Sequence, residues 1–417
     1  MPWGNYPGFP KSKRGALAYY AGVLSTVEEE NGTLRMIRSY LSYNNIFSNL
    51  GFDSGTVIDK ISNGISGLEI VNNPSLVPGD FCAATISAQK IQDEFNIIDD
   101  ASKFTKLEQM MILSLKSVID VSNLNLNKEV GFIISTTKGN IDVLEKESDF
   151  PESRAYLSEL GRILQVYFGF ENDPIVVSNA CVSGVLAISI AKRFIVQGKY
   201  KHIFICSGDL VSKFTLGGFY SFQALAAEPC KPYDQDRTGI NLGEVAASIL
   251  VTSSADNLPA EAVEILGDST CNDANHISGP SRTGEGLVRS VKNALKEANI
   301  KAAEVDYISA HGTATPFNDE MEAIAFNRLG METIPLNSLK GYFGHTLGAS
   351  GLIETIVGMH SLKQNTIFAS KGTERLGVSK PLAVIKHKTT KTLNNFLKTA
   401  SGFGGCNTAI VFKKVNT

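Results

Sequence analysis

Short, nearly continuous apolar runs punctuate the chain: VGFIIST from Val130, PIVVSNA from Pro174, HIFICSG from His202, ASILVT from Ala247, VDYISAHG from Val305 and TAIVFKK from Thr408. Runs of this kind, rich in β-branched residues and bounded by small polar ones, predict strands covered on both faces. Between them the spacing changes. Leu287, Val288, Val291 and Leu295 fall on one face of a 3.6-residue period, as do Leu107, Met111, Leu115 and Val118, which predicts helices packed on a sheet. VLAISIAKRFI, from Val185, is apolar on nearly every side and reads as a buried helix. Strands alternating with helices imply an α/β protein with largely buried sheets.

The order of these elements repeats. In each half an amphipathic helix precedes a strand that ends in a small polar loop (VGFIISTTKGN, VDYISAHGTATP). Later, a loop leads into a glycine-containing apolar helix (SNACVSGVLAISIA, FGHTLGASGLIETIV). The repeat predicts a duplication, with two similar sheet layers sandwiched by helices. A length of 417 residues with 43% hydrophobic content provides for a large core. The expected division is 1–35 as a leader, extension or appended segment, 36–258 as the first half and 259–417 as the second. KSKR followed by GALAYYAGVL looks at first like a secretory signal. It lies behind MPWGNYPGFP, however, and runs into STVEEE without a small-residue cleavage site.

Charge and cysteine usage remove several functions. A net charge of −3, with lysines and arginines scattered among acids, provides no basic field for nucleic acid. No apolar run reaches the ~20 residues needed to span a bilayer. The six cysteines (82, 181, 206, 230, 271, 406) form neither a CxxC pair nor a Cys/His cluster. Neither a metal site nor a disulfide framework is therefore expected, and a reducing cytoplasm is.

Candidate chemistry centres on SNACVSG at 178–184. Between a strand and a helix, Cys181 falls near a helix amino terminus, where free N–H groups and the helix dipole favour an anion and predict a depressed thiol pKa. Gly184 allows a backbone or ligand to come close. Of the six histidines, His311 follows the strand VDYIS and His345 sits in KGYFGHTLGASG, so both emerge on loops of a rigid scaffold. His202, His276, His360 and His387 are read as surface or packing residues. GFGG and GASG lack the spacing of phosphate-cradling loops.

Taken together, SNACVSG, HGTATPFND at 311–319, SLKGYFGHTLGASG at 338–351 and GFGGCN at 402–407 resemble, in order and spacing, the β-ketoacyl-acyl-carrier-protein synthases of elongation type. LGGFYSFQAL at 216–225 and PYDQDRTGINLGEVAA at 232–247 match the same family. The resemblance covers roughly residues 38–415. It implies a thiolase-like layered αβαβα fold built from two duplicated halves, and a Cys181–His311–His345 site working by ping-pong kinetics. Cys181 takes an acyl chain from a carrier-protein phosphopantetheine, and decarboxylation of a malonyl unit then generates the carbanion that attacks it. The resemblance also implies Lys340 and Glu354 as supporting residues, backbone N–H groups of Cys181 and Phe403 as an oxyanion hole, and Thr313, Thr315 and Phe403 as pantetheine contacts. Asp319 and Glu322 match acidic family positions and read equally as charges at a helix start. No cofactor on the enzyme and no metal are implied. The implied partners are an acyl carrier protein and a second copy or homologous subunit.

The chain departs from the usual family pattern at Ser178, Asn179, Val182, Gly184 and Ser401, which points to a specialised polyketide, polyene or fatty-acid pathway. Three other readings are weighed. A thiolase would use a second cysteine, for which Cys406 is the candidate, but the paired histidine loops oppose it. A priming synthase would carry asparagine where this chain has His345. A chain-length-factor-like partner would lack the nucleophile that Cys181 provides.

Overall fold

The computed structural model describes residues 27–30, 33–145, 148–273 and 277–415. Its centre is one sheet built twice on the same plan. The first five strands are β1 (Tyr40–Ser48), β2 (Val130–Ser135), β3 (Ile175–Val177), β4 (His202–Asp209) and β5 (Val245–Thr252). The next five are β6 (Val263–Asn272), β7 (Tyr307–Ser309), β8 (Leu336–Asn337), β9 (Asn395–Gly402) and β10 (Cys406–Lys414). Across the sheet the order is β8-β7-β9-β10-β6-β1-β5-β4-β2-β3. Counted outward from the middle, each half runs first, fifth, fourth, second, third. In both halves the first two pairings are antiparallel and the last two parallel. The halves join where β6 lies antiparallel to β1, with Val263 opposite Leu41 and Glu264 opposite Tyr40. The duplication expected from motif order is thus present strand by strand.

Helices complete the layers. On the outside of the first half, α1 (Lys106–Ser122) and α2 (Leu157–Phe168) bury Leu107, Met111, Leu115 and Leu160 against Phe132 and Phe204. Thr105 caps α1 reciprocally with Glu108, and Asn123 ends it in the left-handed conformation. Between the two half-sheets lie α3 (Ser183–Val196) and, later in the chain, α6 (Ser350–Gln364), which share one core with strands of both halves. Outside the second half, α4 (Glu285–Ala298) and α5 (Pro316–Arg328) bury Leu287, Val288, Val291 and Phe326. The result is the expected αβαβα layering. A hairpin of Val27–Glu30 and Thr33–Met36 occupies the described part of the amino-terminal segment. The KSKR stretch weighed as a secretory signal, and His276, lie outside the described residues.

The two central helices cross at reciprocal glycines. A side chain on Gly184 would sit 2.7 Å from Leu352 N and 2.9 Å from Gly348 O, and one on Gly351 would sit 2.8 Å from Val185 N. The close approach expected at Gly184 is therefore made by the other half of the protein and not by a ligand. Gly351→Val should lower the melting temperature sharply in a thermal scan. Ordinary overpacking costs ~1–3 kcal/mol, and here part of the obstruction is backbone that cannot rotate away. An unchanged melting temperature would show that the helices do not meet at this crossing.

Candidate active site

The loops that follow the third strand of each half are built alike. Ala180 has φ +44°, Cys181 and Val182 follow, and α3 begins at Ser183; Leu347 has φ +52°, Gly348 and Ala349 follow, and α6 begins at Ser350. A positive φ is unfavourable for residues with a Cβ and persists only where surrounding contacts impose it. At Ala180 the Ser183 hydroxyl does this, accepting from Asn179 N at 2.8 Å and donating to Ala180 O at 2.6 Å. Where the first half carries Cys181 the second carries Gly348. A side chain there would meet Thr137 N at 3.0 Å and Asp209 Oδ2 at 2.9 Å, so only one of the two equivalent turns has room for a nucleophile.

Both predicted histidines close on the sulfur. His345 Nε2 lies 2.9 Å from Cys181 Sγ, and its Nδ1 lies 3.0 Å from the Ser350 hydroxyl. The His311 and His345 rings stand edge to face, their centroids 5.3 Å apart. The sulfur and a nitrogen of each ring all fall within 4.8 Å of one another. Lys340 Nζ lies 2.6 Å from His311 O and 3.4 Å from its Nδ1. An ammonium can only donate, so Nδ1 accepts and the ring proton resides on Nε2, where it can serve as a donor. Backbone N–H groups of Cys181 and Phe403 lie against the sulfur.

Electrostatics correct one expectation. Burial pushes the Cys181 thiol up to about 12, and the opposing pull of Lys340 and the two backbone amides, with Asp209 adding to the rise, does not reverse it. A helix amino terminus cannot depress the pKa of a thiol so thoroughly desolvated. Both imidazoles are held well below the usual histidine range, first by burial and then by Lys340, with His345 and Lys398 also acting on His311. The resting site is thus a neutral thiol facing two neutral rings, and His345 Nε2 is the base within reach when the sulfur attacks. Alkylation of Cys181 by iodoacetamide, followed on its peptide by mass spectrometry, should keep accelerating about tenfold per pH unit beyond pH 9. A free cysteine levels off near ~8.5. A plateau near neutral pH would mean that the thiolate is already formed.

The supporting residues form a buried ionic cluster. Lys340 Nζ is 2.8 Å from Glu354 Oε1, with both side chains almost wholly buried, so this is not the ordinary ion pair of a helix face. Glu322 and Asp319 are also buried and do not serve as solvated charges at the start of α5. Glu322 accepts from the backbone N–H groups of His311 and Gly312 at 2.8 and 2.7 Å and from the Tyr233 hydroxyl at 2.9 Å. Asp319 accepts from Tyr233 N at 2.7 Å. Thr313 and Thr315 bond to each other through their hydroxyls at 2.8 Å.

Two residues unmarked by the sequence reading complete the cluster. Asp209, at the end of β4, accepts from Thr136 Oγ1, from Thr137 N and Oγ1, and from Gly348 N at 2.8 Å, stitching the two halves together beneath the nucleophile. Lys398, in β9, lies 2.6 Å from Glu354 Oε2. An acid at a strand end and a lysine inside a strand look like surface residues in sequence; only burial betrays them. Lys340 and Lys398 thus share one glutamate.

A cavity of about 370 Å³ opens onto this cluster. Cys181, His311, His345, Thr313, Thr315 and Phe403 all line it, so the predicted catalytic and pantetheine-contact residues share one space, with Lys340 and Glu354 packed behind it. Phe403 packs tilted against Phe219 and edge to face with Phe222, at centroid distances of 5.6 and 5.3 Å. Ser401 lines the wall where a larger residue would narrow it, its hydroxyl turned to Asn407 Oδ1 at 2.8 Å. Cys406 is not among the lining residues. Its thiol donates to Asn179 Oδ1 at 2.9 Å, which fits a packing role better than that of a second thiolase cysteine.

A buried thiol against two imidazoles, where duplicated α/β halves meet, defines a thiolase-like condensing enzyme of the acyltransferase class. The chain belongs to the β-ketoacyl synthase family. Residues 129–257 match the beta-ketoacyl synthase N-terminal domain and residues 263–374 its C-terminal domain. Among curated relatives, a 3-oxoacyl-[acyl-carrier-protein] synthase 2 of Rhizobium meliloti is 32% identical over 57% of this chain and 60% of its own length. The protein of the same name from Vibrio harveyi is 28% identical over 76% of this chain and 84% of its own. Solved structures share the fold. The ishigamide ketosynthase/chain length factor superposes with a TM-score of 0.82 at 20% identity, covering 92% of this chain and all of that one. The ketosynthase ApeO in complex with its chain length factor ApeC, from Xenorhabdus doucetiae, gives 0.79 at 23% identity over 91% of this chain and 98% of its own.

Proposed function

We propose that the protein is a β-ketoacyl-acyl-carrier-protein synthase that extends an acyl chain by two carbons. Cys181 Sγ attacks the thioester of an acyl chain delivered on carrier-protein phosphopantetheine, passing its proton to His345 Nε2, which hands it on to the departing sulfur so that the carrier leaves as a thiol. Backbone N–H groups of Cys181 and Phe403 hold the oxyanion of each tetrahedral intermediate. A malonyl thioester then enters, positioned by the Thr313 and Thr315 hydroxyls. Its carboxylate leaves as CO₂, and the electron pair left behind is shared with the thioester oxygen, which accepts hydrogen bonds from His311 Nε2–H and from His345 in its Nε2-protonated tautomer, Nδ1 then accepting from the Ser350 hydroxyl. The carbanion attacks the acyl-Cys181 carbonyl, and collapse expels the sulfur as a thiolate, which takes up one proton from solvent, and frees a β-ketoacyl thioester. Lys340 and Glu354 keep His311 in its Nε2-protonated form.

The observation that carries this reading is the 2.9 Å approach of His345 Nε2 to Cys181 Sγ with the second ring in the same cavity. The enzyme carries no cofactor of its own in this scheme; phosphopantetheine arrives with the substrate. The partners are an acyl carrier protein and a second subunit, identical or homologous; β3 is one of the two edge strands of the sheet. A specialised polyketide, polyene or fatty-acid pathway in the cytoplasm accommodates the departures at Ser178, Asn179 and Ser401. Among the described residues no helix is long and apolar enough to cross a membrane. A non-catalytic partner subunit is disfavoured by the intact nucleophile. Mixing the protein with acyl- and malonyl-loaded carrier protein should produce a carrier-bound β-ketoacyl chain two carbons longer, seen by mass spectrometry. No such product across a panel of starters, alone or with a homologous subunit, would defeat the proposal.

A further inference from the structure

Lys398 is the least expected residue near the site. It interrupts a buried strand, is 0% exposed, and all its partners lie inside the protein. Its ammonium reaches Thr399 O at 2.7 Å, Ser309 O at 3.1 Å and Ala310 O at 3.3 Å, and Glu354 Oε2 at 2.6 Å. Ser309 ends β7, and Ala310 immediately precedes His311. The lysine therefore grips the segment that presents His311 and, from the other side, the carboxylate that Lys340 uses. The fold does not require a cation here. In the first half the corresponding pairing of second and fourth strands sets Ser135 opposite Ser207, whose hydroxyls bond to each other, where the second half sets Ser309 opposite Lys398.

Burying an ammonium is costly, and the group's own pKa is pulled down by that burial. Lys340 and Lys398 face one Glu354 carboxylate, one on each oxygen, so the charge of that glutamate is divided between the lysine beside His311 Nδ1 and the lysine beneath the His311 main chain. We propose that Lys398 is a positioning residue for the decarboxylation step, orienting His311 and Glu354 and setting a buried positive charge behind the ring that meets the malonyl oxygen. This rests on the condensing function proposed above. The charge acts where an anion grows, at the thioester oxygen of the departing malonyl unit, and has less to act on during acyl transfer to Cys181, which the backbone amides serve.

The groups around His311 set the expected pH behaviour. Lys340 faces its Nδ1, His345 and Cys181 lie across the cavity, and Glu354 on α6 and Lys398 on β9 stand behind Lys340. Glu322 on α5 accepts from the His311 main chain, with Tyr233 and Asp319 next to it. Lys398 adds to the effects that hold His311 neutral. Removing it lets Nδ1 protonate at higher pH; a protonated Nδ1 repels the Lys340 ammonium that anchors the ring, so the acid limb of decarboxylation moves upward.

Two substitutions separate charge from hydrogen bonding: Lys398→Gln keeps a donor and loses the charge, and Lys398→Met loses both. Each is compared with the unaltered enzyme for CO₂ release from malonyl-carrier protein between pH 5.5 and 9, and for acylation of Cys181 by acyl-carrier protein. Both variants should release CO₂ about tenfold more slowly with little change in KM and with the acid limb displaced to higher pH, while acylation stays within about twofold. That loss is smaller than the ~10²–10³ of removing an oxyanion donor itself, because Lys398 acts through its neighbours. Equal losses in both half-reactions, an unmoved pH profile, or failure of both variants to fold would make the lysine merely structural and overturn the proposal. Absence of CO₂ release and acylation in the unaltered enzyme would instead defeat the underlying function.

Discussion

Cys181→Ala abolishes acylation of the enzyme: intact mass after incubation with acyl-carrier protein shows no adduct, and condensation falls by at least ~10⁴-fold, the scale on which covalent catalysis fails when its nucleophile is removed. The same variant continues to release CO₂ from malonyl-carrier protein, because that step draws on the imidazoles and not on the sulfur. The split is the informative part. Loss of both activities together would point to a collapsed cavity, and an adduct that survived in Cys181→Ala would place the nucleophile elsewhere, with Cys406 the first residue to test. Collapse is not expected, since Cys181 contributes a small side chain to a turn held by the Ser183 hydroxyl.

The histidines should not be equivalent. His311→Ala lowers CO₂ release by ~10²–10³-fold, or ~2.7–4 kcal/mol of transition-state stabilisation, while leaving acylation of Cys181 largely intact. His345→Ala loses both half-reactions, because His345 Nε2 is the group that touches the sulfur. The asymmetry follows from their partners: His311 is committed to Lys340, whereas His345 stands between Ser350 and Cys181. Stopped-time acylation and CO₂ assays on the two variants decide it. Equal impairment of acylation by both substitutions would contradict the assigned division of labour.

Much of this architecture was legible in the apolar runs. Those beginning at Val130, His202, Ala247 and Thr408 fall on β2, β4, β5 and β10, and the helical spacings at Leu107 and Leu287 fall on α1 and α4. Two long strands that the pattern missed, β1 and β9, have a physical reason in common. β1 carries Ser42, Asn45 and Ser48, and β9 carries Lys398 and Thr399, all buried polar residues, and Lys398 finds its partners on β7 and α6. Hydropathy counts such positions as exposed, so a strand containing them reads as loop. Lys398 thus hid both its strand and its own role.

The chemistry divides in the same way. Residue types and their loops were enough to single out Cys181, His311 and His345, because a nucleophile and its donors must be particular side chains. Periodicity and motif order, which are local properties of a chain, also pointed to an α/β protein with an internal repeat, and the family resemblance carried by the motifs implied its layering. Tertiary structure alone decided the charge state of the sulfur, which burial raises where the helix terminus predicted a fall, and the assembly of Lys340, Lys398 and Glu354 from three separate segments. Desolvation and ion pairing depend on what surrounds a group in space, and residues far apart in sequence become one electrostatic unit only after the two halves have closed on their shared central helices.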